Sequence, residues 1–165
     1  MNWLADKIEQ WPTAKLLPYA RNARTHSEDQ VAQIAASIAE FGFTNPILAG
    51  SDGIIVAGHG RLAAAQKLGL ERVPVVVLDH LSPTQRRALV IADNRIAENA
   101  GWDDAMLRIE LEALQLEGFD LDITGFDADA LAELIAGDEP DKEGQTDEDA
   151  VPEVSETPIS RPGDV

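Results

Sequence analysis

One short stretch constrains this chain more than any other. Ile54-Ile55-Val56-Ala57, apolar and β-branched, runs into Gly58-His59-Gly60-Arg61 and on into Leu62-Ala63-Ala64-Ala65-Gln66-Lys67-Leu68, a run of strong helix formers that stops at Gly69. A strand feeding a helix through glycines belongs to a layered fold that mixes the two. The same turn leaves backbone N–H groups at the positive end of a helix dipole, where phosphate is the expected guest. Arg61 offers a forked cationic contact, and His59 can donate or shuttle a proton. A glycine-flanked turn with a solvated arginine is the plainer alternative.

The flanking sequence supplies the other layers. Ser27-Glu28-Asp29-Gln30 reads as a capping box opening a helix, with Val31, Ile34, Ala35 and Ile38 as its apolar stripe and Gly42 as its stop. Asn45 to Ala49 and Ile54 to Ala57, joined through Ser51-Asp52-Gly53, read as two strands and a tight turn. Val75-Val76-Val77 suggests a strand buried on both faces. Ser82-Pro83-Thr84-Gln85 places a cap, a first-turn proline and a box glutamine ahead of a helix reaching about Glu98. Beyond Asp103 come acidic amphipathic helices, with Leu107, Leu111 and Leu114 in step and then Leu131, Leu134 and Ile135. No helix-turn-helix module is legible. From 137 to 165 prolines punctuate an acidic stretch with few hydrophobes, which reads as a disordered linker.

Charge sharpens the functional reading. The net charge is −17, yet residues 1–100 hold ten basic and ten acidic side chains, while residues 101–165 hold three against twenty. The first part can meet a phosphate, and the second repels a nucleic-acid backbone. With no cysteine, disulfides, thiolate zinc sites and thiol nucleophiles are excluded. No stretch resembles a signal peptide or membrane span, so a soluble cytoplasmic protein without membrane partners is expected. His26, His59 and His80 stand in separate segments without paired ligand spacing, so no protein-built metal site is expected. Arg86, Arg87 and Arg95 form a candidate DNA-binding patch on one helix. No aromatic residue lies among them, so base stacking has no platform. Trp102 is expected to anchor the acidic helices onto the first domain.

Taken in order, Leu16-Leu17-Pro18 with Asn22 and Arg24, Asn45-Pro46-Ile47, Val56-Ala57-Gly58-His59-Gly60-Arg61-Leu62 and Val73-Pro74-Val75 resemble the amino-terminal domain shared by ParB chromosome-partition proteins and sulfiredoxins. The resemblance implies an α+β fold: a small mixed sheet with packed helices over residues 13–100, after an extension over 1–12. An acidic helical extension would cover 101–136. Ala92-Asp93-Asn94-Arg95, Asn99-Ala100-Gly101-Trp102 and Thr124-Gly125-Phe126 narrow it to a phage and prophage variant that often precedes a DNA methyltransferase domain. The closing Ser160 to Val165 resembles the junction into such a domain.

The resemblance also implies roles. Gly58 and Arg61 match the first and last places of the partition proteins' Gly-Glu-Arg-Arg box, which holds the triphosphate of CTP. His59 and Gly60 depart from it, and the missing charge at Gly60 is expected to weaken triphosphate binding. Arg24 and Asn94 would complete the phosphate pocket. CTP or ATP with Mg²⁺ is the implied ligand, with Asp93 as the carboxylate for the metal. S-adenosylmethionine would enter only with a following methyltransferase domain, since no methyltransferase motif occurs here. Candidate partners are DNA, an attached or associated methyltransferase domain and a second copy of the chain. Two other readings stand beside this regulatory module. One is a nuclease or a nucleotide-hydrolysing or phosphotransfer enzyme, with His59 or Asp93 as catalytic base; the other is a non-catalytic scaffold with an acidic tail.

Overall fold

The computed structural model describes residues 7–137. A four-stranded sheet has the order β1 (Ile8–Pro12), β4 (Arg72–Val77), β2 (Ile47–Ala49), β3 (Ile55–Ala57). The β2–β3 pair is the antiparallel hairpin read from the sequence. Strand β4 runs parallel to β2, and such a pair needs a crossover. Helix α2 (His59–Lys67) is that crossover, so the Gly58–Arg61 turn sits where the hairpin hands the chain to it.

Residues 8–12 are not an extension. They pair antiparallel with β4 from Ile8 opposite Val76 to Pro12 opposite Arg72, and Trp11 is buried in the main core. Charged Lys7 and Glu9 beside Ile8 and Trp11 obscured the alternation of an edge strand. Proline is unusual in an inner strand because it cannot donate to the ladder. Opposite Pro74 stands Gln10, whose carbonyl accepts instead from the Arg72 guanidinium.

Two apolar clusters sandwich the sheet, as the Val75–Val77 run predicts. Trp11, Leu16, Ile47, Ile55, Leu62, Val73 and Val75 fill one side. Val56, Leu78 and Val90 fill the other, bringing in helix α3 (Pro83–Glu98). The Ser82–Gln85 capping box forms in full. The one at Ser27 forms by half: Ser27 accepts from the Gln30 amide, but the Gln30 side chain turns to His26 Nδ1 at 3.0 Å. Helix α1 (Glu28–Phe41) packs on α2.

Helices α4 (Asp104–Leu116) and α5 (Ala128–Ala136), with a 3₁₀ turn at Leu121–Thr124, close a separate small core around Leu111, Leu121 and Leu131. Trp102 does not anchor this unit to the sheet domain. It is 69% exposed and packs against Phe126 of its own unit, 5.6 Å between ring centroids. The attachment is made by Phe41 of α1 stacked on Phe119 at 6.0 Å and by the 3₁₀ turn lying on α1. Apart from Gly137, the linker expected over 137–165 lies outside the described residues.

Candidate functional site

Helix α2 begins without a side-chain cap. Its N-cap is Gly58, held at φ 103°, a left-handed conformation that favours glycine. The first intrahelical bond runs from Leu62 N to Gly58 O. Among the described residues no carbonyl or side chain occupies the amides of His59, Gly60 and Arg61, so three donors are left at the helix mouth. The mouth opens into a cavity of about 190 Å³. Its wall brings together Arg24, Gly58, His59, Gly60, Arg61, Asp93 and Asn94, residues that stand up to seventy positions apart in the chain.

Each side chain has a definite posture. Arg61 folds back so that its Nε and Nη2 lie about 3 Å from where a Gly58 Cβ would stand. Its Nη1 donates to the Asn45 carbonyl at 3.0 Å, which occupies one of five guanidinium donors. Burial works against the Arg61 charge, and Asp93 works for it. A half-buried cation with unfilled donors attracts an anion.

His59 Nε2 accepts from the Tyr19 backbone N–H at 3.2 Å, which leaves the ring proton on Nδ1. Burial first, and then the proximity of the His26 imidazole, hold its pKa below the ordinary range, so the ring is neutral at pH 7. His59 is thereby a fixed donor, and acting as a base through Nε2 would first require giving up that bond. Arg24 is held by Glu98 at 3.0 Å, and the same carboxylate takes Arg95 at 3.1 Å through its other oxygen. Asn94 donates one side-chain N–H to the Val90 carbonyl of its own helix at 2.7 Å, and its second N–H has no protein partner among the described residues.

Two features escaped the sequence reading. His26, read from the sequence only as a histidine without paired ligand spacing, lines the cavity, and its ring lies within about 3.2 Å of an ideal Gly60 Cβ. Gly60 itself is buried, and that Cβ would stand 2.9 Å from Ile34 Cδ1. Position 60 is glycine because α1 and α2 leave no room for a side chain. Nothing in the sequence singled out His26, and nothing local hinted at the contact with Ile34.

The three arginines of the expected DNA patch do not come together. Arg86 and Arg95 are nine residues apart and so face opposite sides of α3. Arg86 is half-buried against the hairpin turn and pairs with Asp52 at 3.1 Å, with its Nε enclosed and unpartnered among the described residues. Arg95 belongs to the Glu98 bridge, and Arg87 is exposed with no carboxylate partner among the described residues. Among those residues no three His, Cys, Asp or Glu side chains converge as a metal site, and no helix is long and apolar enough to cross a membrane.

Comparison with known proteins bears on this geometry. The family model described as ParB N-terminal domain matches residues 4–94. A second, described as ParB-methyltransferase HTH domain, matches residues 105–162, a stretch read from the sequence as acidic helices and linker without any such module. The ParB-like nuclease domain-containing protein YnaK of Escherichia coli (strain K12) is 52% identical over 81 residues, covering 49% of this chain and 93% of that protein. A probable chromosome-partitioning protein ParB of Treponema pallidum is 38% identical over 82 residues, 46% of this chain and 24% of that protein. The chain thus matches about a quarter to a third of the length of its partitioning relatives. The C-terminally truncated ParB of Caulobacter crescentus, in a crystal complex with CTP-gamma-S, shares the fold with a TM-score of 0.63 at 23% identity. That match covers 78% of this chain and 77% of that one.

Proposed function

This chain belongs to the ParB N-terminal domain family, and from that premise we propose that it is a nucleotide-responsive module whose α2 mouth holds the phosphates of a nucleoside triphosphate. The bound state would alter how the module meets DNA, or a methyltransferase domain of a phage-type DNA modification protein. The observation that carries this reading is the half-buried Arg61 guanidinium, with one hydrogen bond among the described residues, beside three amides that are unpaired among those residues, over a left-handed glycine.

The posture of each residue suggests its task. The amides of His59, Gly60 and Arg61 donate to phosphate oxygens, with Arg61 as the forked charge. His59 adds its Nδ1–H. Arg24 meets Glu98 through Nη1, so its other guanidinium donors can join while that ion pair stays or is exchanged for the phosphate. Mg²⁺ arriving with the phosphates would neutralise part of their charge. Asp93, exposed at the rim, is the carboxylate placed to meet it, with phosphate oxygens and water completing the shell. Such a ligand shifts the module between states only through a difference in affinity for them.

CTP is the first nucleotide to try, because the Caulobacter protein of the same fold was crystallised with its thio analogue. Calorimetric titration of the full chain with CTP, ATP and GTP, with and without Mg²⁺, tests the reading. Binding of at least one of them is expected, weakened at least tenfold by Arg61→Gln and unchanged by Arg87→Ala. Absence of heat with all three, or an Arg61→Gln protein that binds as tightly, would overturn it. YnaK's nuclease-domain name favours a second reading, catalysis at the same mouth. That reading predicts nucleotide or DNA turnover abolished by Asp93→Asn, where the module predicts binding without turnover.

A further inference from the structure

Helix α4 carries two apolar faces and uses one. Leu107, Leu111 and Leu114 turn into the small core with Leu121 and Leu131. On the other side stand Met106, Ile109, Ala113 and Leu116, all exposed, with Met106 56%, Ile109 57% and Leu116 89% accessible. At 100° per residue these four span an arc of about 80°. Trp102, ahead of the helix, continues the row at its N-terminal end. Single exposed hydrophobes are ordinary, but an aligned row marks an interaction surface. The 3-4-3 spacing is that of a seam between paired helices.

Charge selects the occupant. Glu110 and Glu117 flank the row along one edge, Glu112 along the other, and Asp103 stands beside Trp102. Arg108, the one base of the helix, points the opposite way, its Nε donating to the Leu134 carbonyl at 3.0 Å. A second copy of α4 would set carboxylates against carboxylates at the positions that decide helix pairing. Residues 138–165 hold ten acidic side chains against two basic, so they carry the same wrong sign. DNA is repelled outright. We propose that this face docks a basic amphipathic helix of a partner protein. Its apolar seam would pack on Met106, Ile109 and Leu116, and its flanking lysines or arginines would reach Glu110, Glu112 and Glu117.

The test is fluorescence anisotropy of two labelled synthetic three-heptad peptides titrated with the full chain. Both carry leucine at the seam; one is flanked by lysine, the other by glutamate. The lysine peptide is expected to bind, weakening with added salt, and the glutamate peptide at least tenfold more weakly. Ile109→Lys should weaken the lysine peptide at least tenfold with an unchanged thermal melt. Ile96→Lys, an equal charge change at an exposed residue of α3, should leave binding as it was. Four results would overturn the proposal: no binding of the lysine peptide; equal binding of both peptides; an Ile109→Lys chain no weaker than the Ile96→Lys chain; or a dimer in sedimentation that Ile109→Lys dissolves.

Discussion

Replacing Gly60 by alanine adds one methyl group where α1 and α2 touch, and the outcome follows from three distances. The new Cβ would stand 2.9 Å from Ile34 Cδ1 and 3.1 and 3.2 Å from His26 Cε1 and Nδ1. Carbon atoms settle at about 3.5–4.0 Å, so Ile34 must retreat by about 0.6–1.1 Å. Overpacking of this kind costs about 1–3 kcal/mol. Alanine's better helix propensity returns at most about 1 kcal/mol, which leaves a net loss of about 1 kcal/mol. Ile34→Val deletes the offending Cδ1 and nothing else. On its own it costs at the low end of about 0.5–1.5 kcal/mol, since Ile34 is only partly buried. In the double variant the penalties should fall short of their sum by about 1 kcal/mol, read from urea unfolding followed by circular dichroism. A coupling below about 0.3 kcal/mol, or a Gly60→Ala protein more stable than the parent, would refute the steric account. Phosphate binding gives a second readout. Gly60→Ala should weaken it by displacing His26, and Ile34→Val should partly restore it.

Other residues make equally concrete forecasts. The lowered His59 pKa means that, between that value and the ordinary 6.5, the unfolded chain binds more protons than the folded one. Stability should therefore fall as pH drops through this window, and His59→Gln, which keeps an acceptor for Tyr19 N–H, should flatten the slope of urea midpoint against pH. Gly53 sits at φ 85°, where a Cβ would meet the Lys15 carbonyl at 2.5 Å. Gly53→Ala should lower the melting temperature by roughly 5–10 °C. Arg86→Ala should lower thermal stability, because it strips the hairpin turn of its partner. Arg87→Ala should leave the melt alone and reduce the salt dependence of any DNA association by about one phosphate contact.

What the sequence disclosed and what it hid divide along a physical line. Capping residues, the hairpin turn and the strand-to-helix glycines act over a few positions, so Ser27, Ser82, Ser51 to Gly53 and Gly58 could be read directly. The ordered motifs of the family resemblance placed Arg24, Arg61, Asp93 and Asn94 around one site, and the cavity wall holds all four. Pairings set by distant partners were hidden. Strand β1 needed β4, sixty residues on, to become visible. His26 and Gly60 meet only because Ile34 draws α1 onto α2. The arginines of α3 looked alike in sequence, yet Asp52 and Glu98 capture two of them and leave Arg87 open. The acidity of α4 and α5 argued against nucleic acid and masked the helix-turn-helix family match over 105–162.

The pairing of Ile8–Pro12 with β4 has a practical consequence for anyone trimming the gene. Without those residues the Arg72–Val77 ladder, with four valines in a row broken only by Pro74, would become the border of the sheet and offer its free amides and carbonyls to any neighbour. A protein shortened to start at Thr13, just after β1, should retain every pocket residue and still precipitate, by strand-to-strand stacking between molecules rather than through failure of the ligand site.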